Sequence, residues 1–249
     1  MFDFGLQFLY SVAKECHNNP VGRDGVWQAA PIQGSIKYSD RDAKSLKEFE
    51  NSLHGSIPEL AEHGRKRAKK AYESRVDTIT KPSYIKRITE NVEEKNISQS
   101  EYIKTKFVDQ PYSGGLVFSV FSPNDLFDGY RPGYIPCLVS GSFLFHQGKV
   151  HLNAFFRSIS ILEFGVHDLL FLRRFQRSVV NEVSSRPMED FPKRHNFSSI
   201  EPGPLNLHMS RAVIERRLAR GGGTHLDRNR VYEVWTDTIL SHIDSFYTL

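Results

Sequence analysis

Cys137 stands in GYIPCLVS, residues 133–140, and its thiol raises three chemical readings. It is a small core hydrophobe at the entrance to an apolar strand, half of a disulfide, or a nucleophile. Free cysteine is among the most buried residue types, so the first reading is the default for the residue taken alone. A nucleophilic role asks for a lowered pKa, because the thiolate is the reactive form. The one other cysteine, Cys16, recurs at helical spacing with Phe2, Leu6, Leu9 and Val12 or Ala13, and reads as a packed core thiol. Two cysteines make no disulfide framework, and a reducing cytoplasm is the expected setting. Asp168 opens an apolar helical run and, by itself, reads as a helix N-cap. RKRAKK (65–70) and RRFQR (173–177) are basic clusters that suit a solvated helix face, a small anion or nucleic acid. No zinc-finger or RNP signature accompanies them, so solvated surface is the default and polynucleotide binding the less favoured reading.

The elements that must position these groups follow from periodicity. Residues 2–16 read as an amphipathic helix, closed by the turn formers NNPVGRDG (18–25). Residues 26–58 carry little pattern. Helices are expected over about 59–74 and in YIKRITENVEEK, where Tyr84, Ile85, Ile88 and Val92 make a narrow stripe. LVFSVF (116–121) reads as a strand, and LVSGSFLF (138–145) and VHLNAFFR (150–157) as a hairpin around HQGK. In the second arm Val150, Leu152, Ala154 and Phe156 share one face, and His151, Asn153, Phe155 and Arg157 the other. A helix over 168–183, a loop over SSRPMEDFPKRHNFSS, a short strand LNLHM (205–209), a helix SRAVIERRLAR stopping at GGG, and a final helix over 231–247 complete the order. The N-terminus lacks a basic segment followed by an unbroken apolar run, so neither a signal peptide nor a membrane span is expected. With 249 residues, 39% hydrophobic and 25% charged, the chain suits a core-forming globular protein rather than a disordered one. No repeat or long linker divides it, and the expected fold is α/β (α+β): a single domain over 1–249 with a bent mixed sheet covered by helices.

The order of the pieces carries a resemblance. Pro136-Cys137 before a strand, a Gly-Lys turn, a second strand ending in Arg157-Ser158, and Asp168 beyond it resemble the thymidylate synthase family, including its deoxycytidylate and cytidylate hydroxymethylase branches. The resemblance runs over about 113–215. It implies a thymidylate synthase-like fold, a homodimer packed sheet against sheet, a pyrimidine nucleoside monophosphate as substrate and 5,10-methylenetetrahydrofolate as cofactor. It makes Cys137 the nucleophile, which adds to C6 of the pyrimidine so that C5 can attack a one-carbon unit carried by the folate. It makes Arg157 and Ser158 phosphate ligands, a task for which the guanidinium fork is suited. It makes Asp168, where thymidylate synthases have an asparagine, a reader of cytosine: a carboxylate accepts from the exocyclic amino group and meets the uracil oxygen lone pair against lone pair.

The sequence also departs from the family. Gly114 and Gly115 stand where paired arginines are expected, Ser160 where an acid follows Arg-Ser, and Ala212, Val213, Ile214 and Glu215 where Ala-His-Ile-Tyr would contact the sugar. His208 is the nearby candidate for a sugar contact, Arg23 for the mobile phosphate arginine, and RKRAKK for the missing arginine pair. Glu59 is the candidate for the glutamate that organises water and relays protons. The expected activity is folate-dependent hydroxymethyl, or another one-carbon, transfer to C5 of a cytidine nucleotide. The alternatives are a catalytically silent nucleotide-binding or assembly subunit of the same fold and a uridylate C5 methyltransferase.

Overall fold

The structure is a computed structural model, and the residues described are 1–19, 27–29, 31–76, 83–90, 96–126, 135–187, 199–215 and 226–248. Its contacts divide it into two compact units. The first comprises Met1–Lys69, Arg157–Phe171 and His208–Leu249, the second Lys70–Phe156 and Leu172–Leu207.

In the first unit, α1 (Gly5–Asn18) forms as its periodicity predicts and buries Leu6, Leu9, Val12, Ala13 and Cys16. Phe4, at its N-cap, offers no side-chain acceptor. Asp42 supplies one from outside the helix: the Gly5 N–H donates to Asp42 Oδ1 at 2.7 Å. Asp42 lies in α2 (Asp40–Ser56), which Ser39 caps by accepting from the Arg41 N–H. After one residue, Pro58 opens α3 (Pro58–Tyr72) at a position where its missing N–H has no intrahelical partner to lose. The strands are β1 (Trp27–Ala29), β6 (Ile159–Ser160) and β8 (Ala212–Ile214), ordered β1-β8-β6, with β1 antiparallel and β6 parallel to β8. The closing helix, α7 (Arg228–Thr248), buries Val231, Trp235 and Ile239, and Trp235 meets Phe49 of α2 edge to face at 5.5 Å. A further short strand, β2 (Ile32–Ile36), also falls in this segment of chain.

The second unit is built on the expected hairpin. β4 (Leu138–His146) and β5 (Lys149–Phe156) pair antiparallel from His146↔Lys149 to Leu138↔Phe156. Gln147 and Gly148 make the two-residue turn with φ of 49° and 75°, the left-handed pair that a tight hairpin requires and that glycine adopts without strain. Val150, Leu152, Ala154 and Phe156 are all buried, as the alternation predicts. The edge strand β3 (Val117–Ser119) pairs with β4 and is shorter than the run LVFSVF. Its open edge is occupied by Gln99, whose amide donates to Ser119 O at 2.9 Å and accepts from Ser119 N at 2.7 Å, as a neighbouring strand would. Gln99 begins α5 (Gln99–Asp109) behind a Ser98–Glu101 capping box. α4 (Tyr84–Thr89) precedes it, capped by Ser83. With β7 (Glu201–Met209) the strand order here is β7-β5-β4-β3.

Two expectations are corrected. The helix expected from 168 is α6 (Ile161–Ser184), which starts seven residues earlier and passes from the first unit into the second. Ile161, Leu162 and Val166 continue its buried stripe backwards, so Asp168 sits in the third turn and is no N-cap. The helix expected over SRAVIERRLAR is, in its described part, the strand β8, where Val213 and Ile214 fill the β-branched slots between β1 and β6. GGG lies outside the described residues, as do Arg23 and most of the loop after Arg186. Among the described residues, no helix is long and apolar enough to cross a membrane.

Candidate functional site

Cys137 is a half-buried thiol, in no disulfide, one residue before β4. Its backbone N–H donates to Tyr84 Oη at 3.0 Å, which ties the Pro-Cys corner to the first residue of α4. Tyr84 is buried and meets Tyr72 edge to face at 5.3 Å, so its hydroxyl is held from behind. The last hairpin pair is Leu138↔Phe156: Cys137 precedes that ladder by one residue and Arg157 follows it by one. Cys16 is different in kind. It is fully buried on α1, and burial pushes its thiol up to about 12, which keeps it protonated and inert, as expected of a core cysteine.

In the first unit, Arg157 is half-buried and Ser158 is buried. The next residue, Ile159, donates its N–H to Arg211 O at 3.0 Å as β6 joins β8. Asp168 is buried in α6, and burial pushes its carboxyl well above the usual carboxylate range, with Arg67 pulling the other way. Arg67 also serves Glu163: its Nη1 is 3.6 Å from Glu163 Oε2, and its guanidinium lies 4.2 Å above the Phe164 ring. His63 approaches Glu163 at 3.9 Å and the Ser160 hydroxyl donates to it at 3.4 Å. A second buried carboxylate, Glu50 of α2, accepts from Arg65 Nε at 3.1 Å and from Lys47 Nζ. Burial works to raise the Glu50 pKa, but Lys47, His167 and Arg65 overcome it and hold it below the usual range.

These pairings change the reading of the basic clusters. Within RKRAKK, Arg65 and Arg67 neutralise Glu50 and Glu163, and Lys66 pairs with Glu62 at 3.2 Å. Lys69 and Lys70 are exposed. Within RRFQR, Arg173 is buried and donates to Gln176 Oε1 at 3.0 Å, while Arg174 and Arg177 are exposed. Gln176 in turn donates to Val150 O and Gly203 O at 2.7 and 3.0 Å, tying the helix to β5 and β7.

The sequence matches no protein-family model and no curated protein. The structure is similar to the thermostable thymidylate synthase A from Bacillus subtilis, with a TM-score of 0.60 over 94% of this chain and 84% of that one, at 11% identity. The fold is thymidylate synthase-like.

On this thymidylate synthase-like fold the candidate residues are distributed as follows. Cys137 belongs to the second unit, and Arg157, Ser158, Asp168, Glu59 and His208 to the first. Glu59 is exposed on the first turn of α3 and His208 is exposed on β7, whereas Glu50 and Glu163 are the glutamates this unit buries. Gly114 and Gly115 lie in the turn before β3, and Ala212–Ile214 are β8. Sequence reasoning missed Tyr84, which looked like one more member of an apolar stripe. The polar tip at the first position after an N-cap serine was the available signal. It also missed the pairing of Arg65 and Arg67 with distant acids, for which no local pattern exists.

His167, beside Asp168, gives this region a pH dependence. Burial lowers its pKa to about 4; Glu50 opposes that shift, and Lys47, Arg65 and His54 reinforce it. The folded value lies below the unfolded value of about 6.5. The neutral imidazole therefore contributes stability that is present above about pH 6.5 and lost as pH falls toward 4, on the order of 3 kcal/mol in total. His167→Gln is expected to flatten urea-denaturation stability across that window relative to the wild type. An unchanged slope would remove His167 from the account.

Proposed function

We propose that the chain transfers a one-carbon unit to C5 of a pyrimidine nucleoside monophosphate, with hydroxymethylation of a cytidine nucleotide as the favoured reaction. The observation that supports this best is the half-buried Cys137 thiol on a corner fixed by Tyr84, at the head of a hairpin in a thymidylate synthase-like fold. In the proposed reaction the Cys137 thiolate forms a bond to C6, and the C5–C6 π electrons move onto C5 and the carbonyl-like C4 edge. C5 is then nucleophilic. It takes up a proton or a carbon electrophile and loses its original hydrogen as a proton; in hydroxymethylation water adds to the transferred carbon, and the re-formed C5–C6 double bond expels the thiolate. Arg157 and Ser158 are assigned to the phosphate, where a guanidinium fork and a hydroxyl suit a dianion. Asp168 is assigned to the base edge, His208 to the sugar, Arg23 to the phosphate and Glu59 to proton relay. The cofactor proposed is 5,10-methylenetetrahydrofolate, which would supply the carbon at the aldehyde oxidation level. None of the residues placed above is assigned to hold it.

The test is release of tritium from C5 of CMP, dCMP and dUMP, with and without folate plus formaldehyde. Thiol addition alone makes that hydrogen exchangeable, so release is expected before any carbon is transferred. No release from any nucleotide that the folded protein binds would leave the second reading, a silent nucleotide-binding or assembly subunit. The pairing of Arg65 and Arg67 with buried acids favours that alternative, because it takes them from the phosphate. Release from dUMP alone would favour a uridylate methyltransferase.

The proposal includes a homodimer. Val117, Leu144 and Phe155 are 50%, 50% and 40% exposed. The register aligns Val117 with Ser142 and Phe155 with Ser140, so with Leu144 all three share one face of the β3-β4-β5 sheet. A second copy of that face would cover these apolar groups. Phe155→Lys is expected to convert the dimer to monomer in light scattering at micromolar concentration; an unaltered mass would place the interface elsewhere.

A further inference from the structure

One short helix of the second unit reaches Cys137 by two routes. Tyr84 and Arg87 stand at i and i+3 on α4 and so share a face. Tyr84 accepts the Cys137 N–H at 3.0 Å. Arg87 spreads its guanidinium over two acceptors: Nη1 donates to Val120 O and to Asp125 Oδ2, both at 2.7 Å, and Nη2 donates to Asp125 Oδ1 at 2.8 Å. From Val120 the path returns to the cysteine strand. The Val120 N–H donates to Val139 O at 2.8 Å, and the same oxygen accepts the Phe121 N–H at 3.0 Å. Val139 is where the β4–β5 register slips, because Leu138 pairs with Phe156 but Ser140 with Phe155. That extra residue follows Cys137 almost directly, and a bulge bends its strand and re-aims the side chains beside it. The circuit is closed: Arg87, Val120, Val139, Cys137, Tyr84 and back along α4. Asp125 steadies the guanidinium, and its Oδ2 also accepts the Ser122 N–H at 2.8 Å. Gln99 fixes the main chain of the same residue by donating to Arg87 O at 2.7 Å.

Resting on the functional reading of Cys137 as the nucleophile, we propose that Arg87 is a positioning residue, which holds the Cys137 thiol in its reacting place by locking α4 to the Val139 bulge. Its action runs through Val120 and Tyr84 rather than through contact with the substrate. With Tyr84 as the one attachment, α4 and the Pro-Cys corner could rock together about a single hydrogen bond. The second attachment removes that freedom, since both ends of the bent segment are then tied to one rigid element. A planar fork suits the task because it meets a carboxylate and a carbonyl at once in fixed directions, which an ammonium does not. Addition to C6 requires the sulfur to be aligned on that carbon, and a misplacement of about 1 Å caused from a distance costs on the order of a hundredfold in rate. An ion pair that served stability alone would carry no such cost.

The experiment uses the intact protein in two arms. Arg87→Gln is expected to lower tritium release from C5 at saturating nucleotide by at least about tenfold, while nucleotide dissociation constants stay within about threefold. Arg87→Lys keeps the charge and loses the fork, and its rate is expected to lie between those of Arg87→Gln and the wild type. Lys86→Gln is the control on the same helix, where Lys86 pairs with Glu90 at 4.0 Å, and release is expected to be unchanged. The second arm needs no nucleotide. Amide hydrogen exchange at Cys137, followed by nuclear magnetic resonance, is expected to be at least about tenfold faster in Arg87→Gln, with the Leu9 amide of α1 as the internal reference for global opening. Should Arg87→Gln fail to fold because Asp125 is left without its cation, the double variant Arg87→Met with Asp125→Asn takes its place in both arms. Asparagine keeps an acceptor for the Ser122 N–H, and methionine keeps the bulk of the arginine stem. A smaller loss of rate, a loss carried by nucleotide affinity, or a Cys137 amide that accelerates no more than that of Leu9 overturns the proposal. No release by wild-type protein that binds the nucleotides overturns the functional reading instead, and the amide arm still decides whether Arg87 holds Cys137.

Discussion

Cys137→Ala is expected to abolish tritium release from C5 of the pyrimidine nucleotides, by roughly three orders of magnitude or more, as loss of a covalent nucleophile does elsewhere. The exchange depends on a bond between sulfur and C6, and alanine has no atom to form it. Cys16 offers no substitute, because its thiol is fully buried in α1 and held protonated up to about pH 12. Cys16→Ala is therefore expected to retain exchange. Nucleotide affinity of Cys137→Ala is expected to stay within a few-fold of the wild type, since Arg157, Ser158 and Asp168 are assigned to phosphate and base. That combination separates a lost reaction from a lost site. The Pro-Cys corner should persist in the variant, because Tyr84 accepts from the backbone N–H of residue 137 and not from its side chain. Exchange that survives in Cys137→Ala would remove the thiol from the reaction and with it the proposed chemistry.

The parts legible in the sequence were those whose information is local. The β4–β5 hairpin was readable because alternation over VHLNAFFR and a Gln-Gly turn both act within a few residues. α1 and α7 declared themselves by long apolar stripes. α5 carried a readable signal, the Ser98–Glu101 capping box, that its weak apolar pattern obscured. By contrast α2 is mostly polar and is held by packing Phe49 against Trp235, far along the chain. Val213 and Ile214 extend as strand because β1 and β6 flank them, a tertiary decision that local propensity does not contain. At the candidate site, the spacing from Pro136-Cys137 to Arg157-Ser158 carried the resemblance, but the environment of Asp168 did not. What surrounds that carboxyl depends on Arg67, which comes from α3 and also engages Glu163 one turn earlier on α6.

Gly64→Ala is expected to destabilise the protein by about 2 kcal/mol, although alanine is the better helix former. In an open helical position the exchange would gain up to about 1 kcal/mol. At Gly64 an added Cβ would lie 2.5 Å from the backbone oxygen of Glu163 and 3.2 Å from His167 Nε2. The first contact is with main chain, which cannot rotate aside, so α3 and α6 must separate locally. Overpacking of this kind costs about 1–3 kcal/mol before side-chain pairings are counted. Those pairings are Arg67 and His63 with Glu163 and the charges around His167, so separation also disturbs the buried ionisable cluster. Gly55 supplies the control, since a Cβ there meets nothing within 4 Å, and Gly55→Ala is expected to stabilise by up to about 1 kcal/mol. Urea midpoints for the two variants should move in opposite directions. The Gly64 variant should also show an altered stability slope between about pH 6.5 and 4, the window in which His167 gains its proton. If both alanines stabilise alike, α3 and α6 do not meet at Gly64 as closely as 2.5 Å requires.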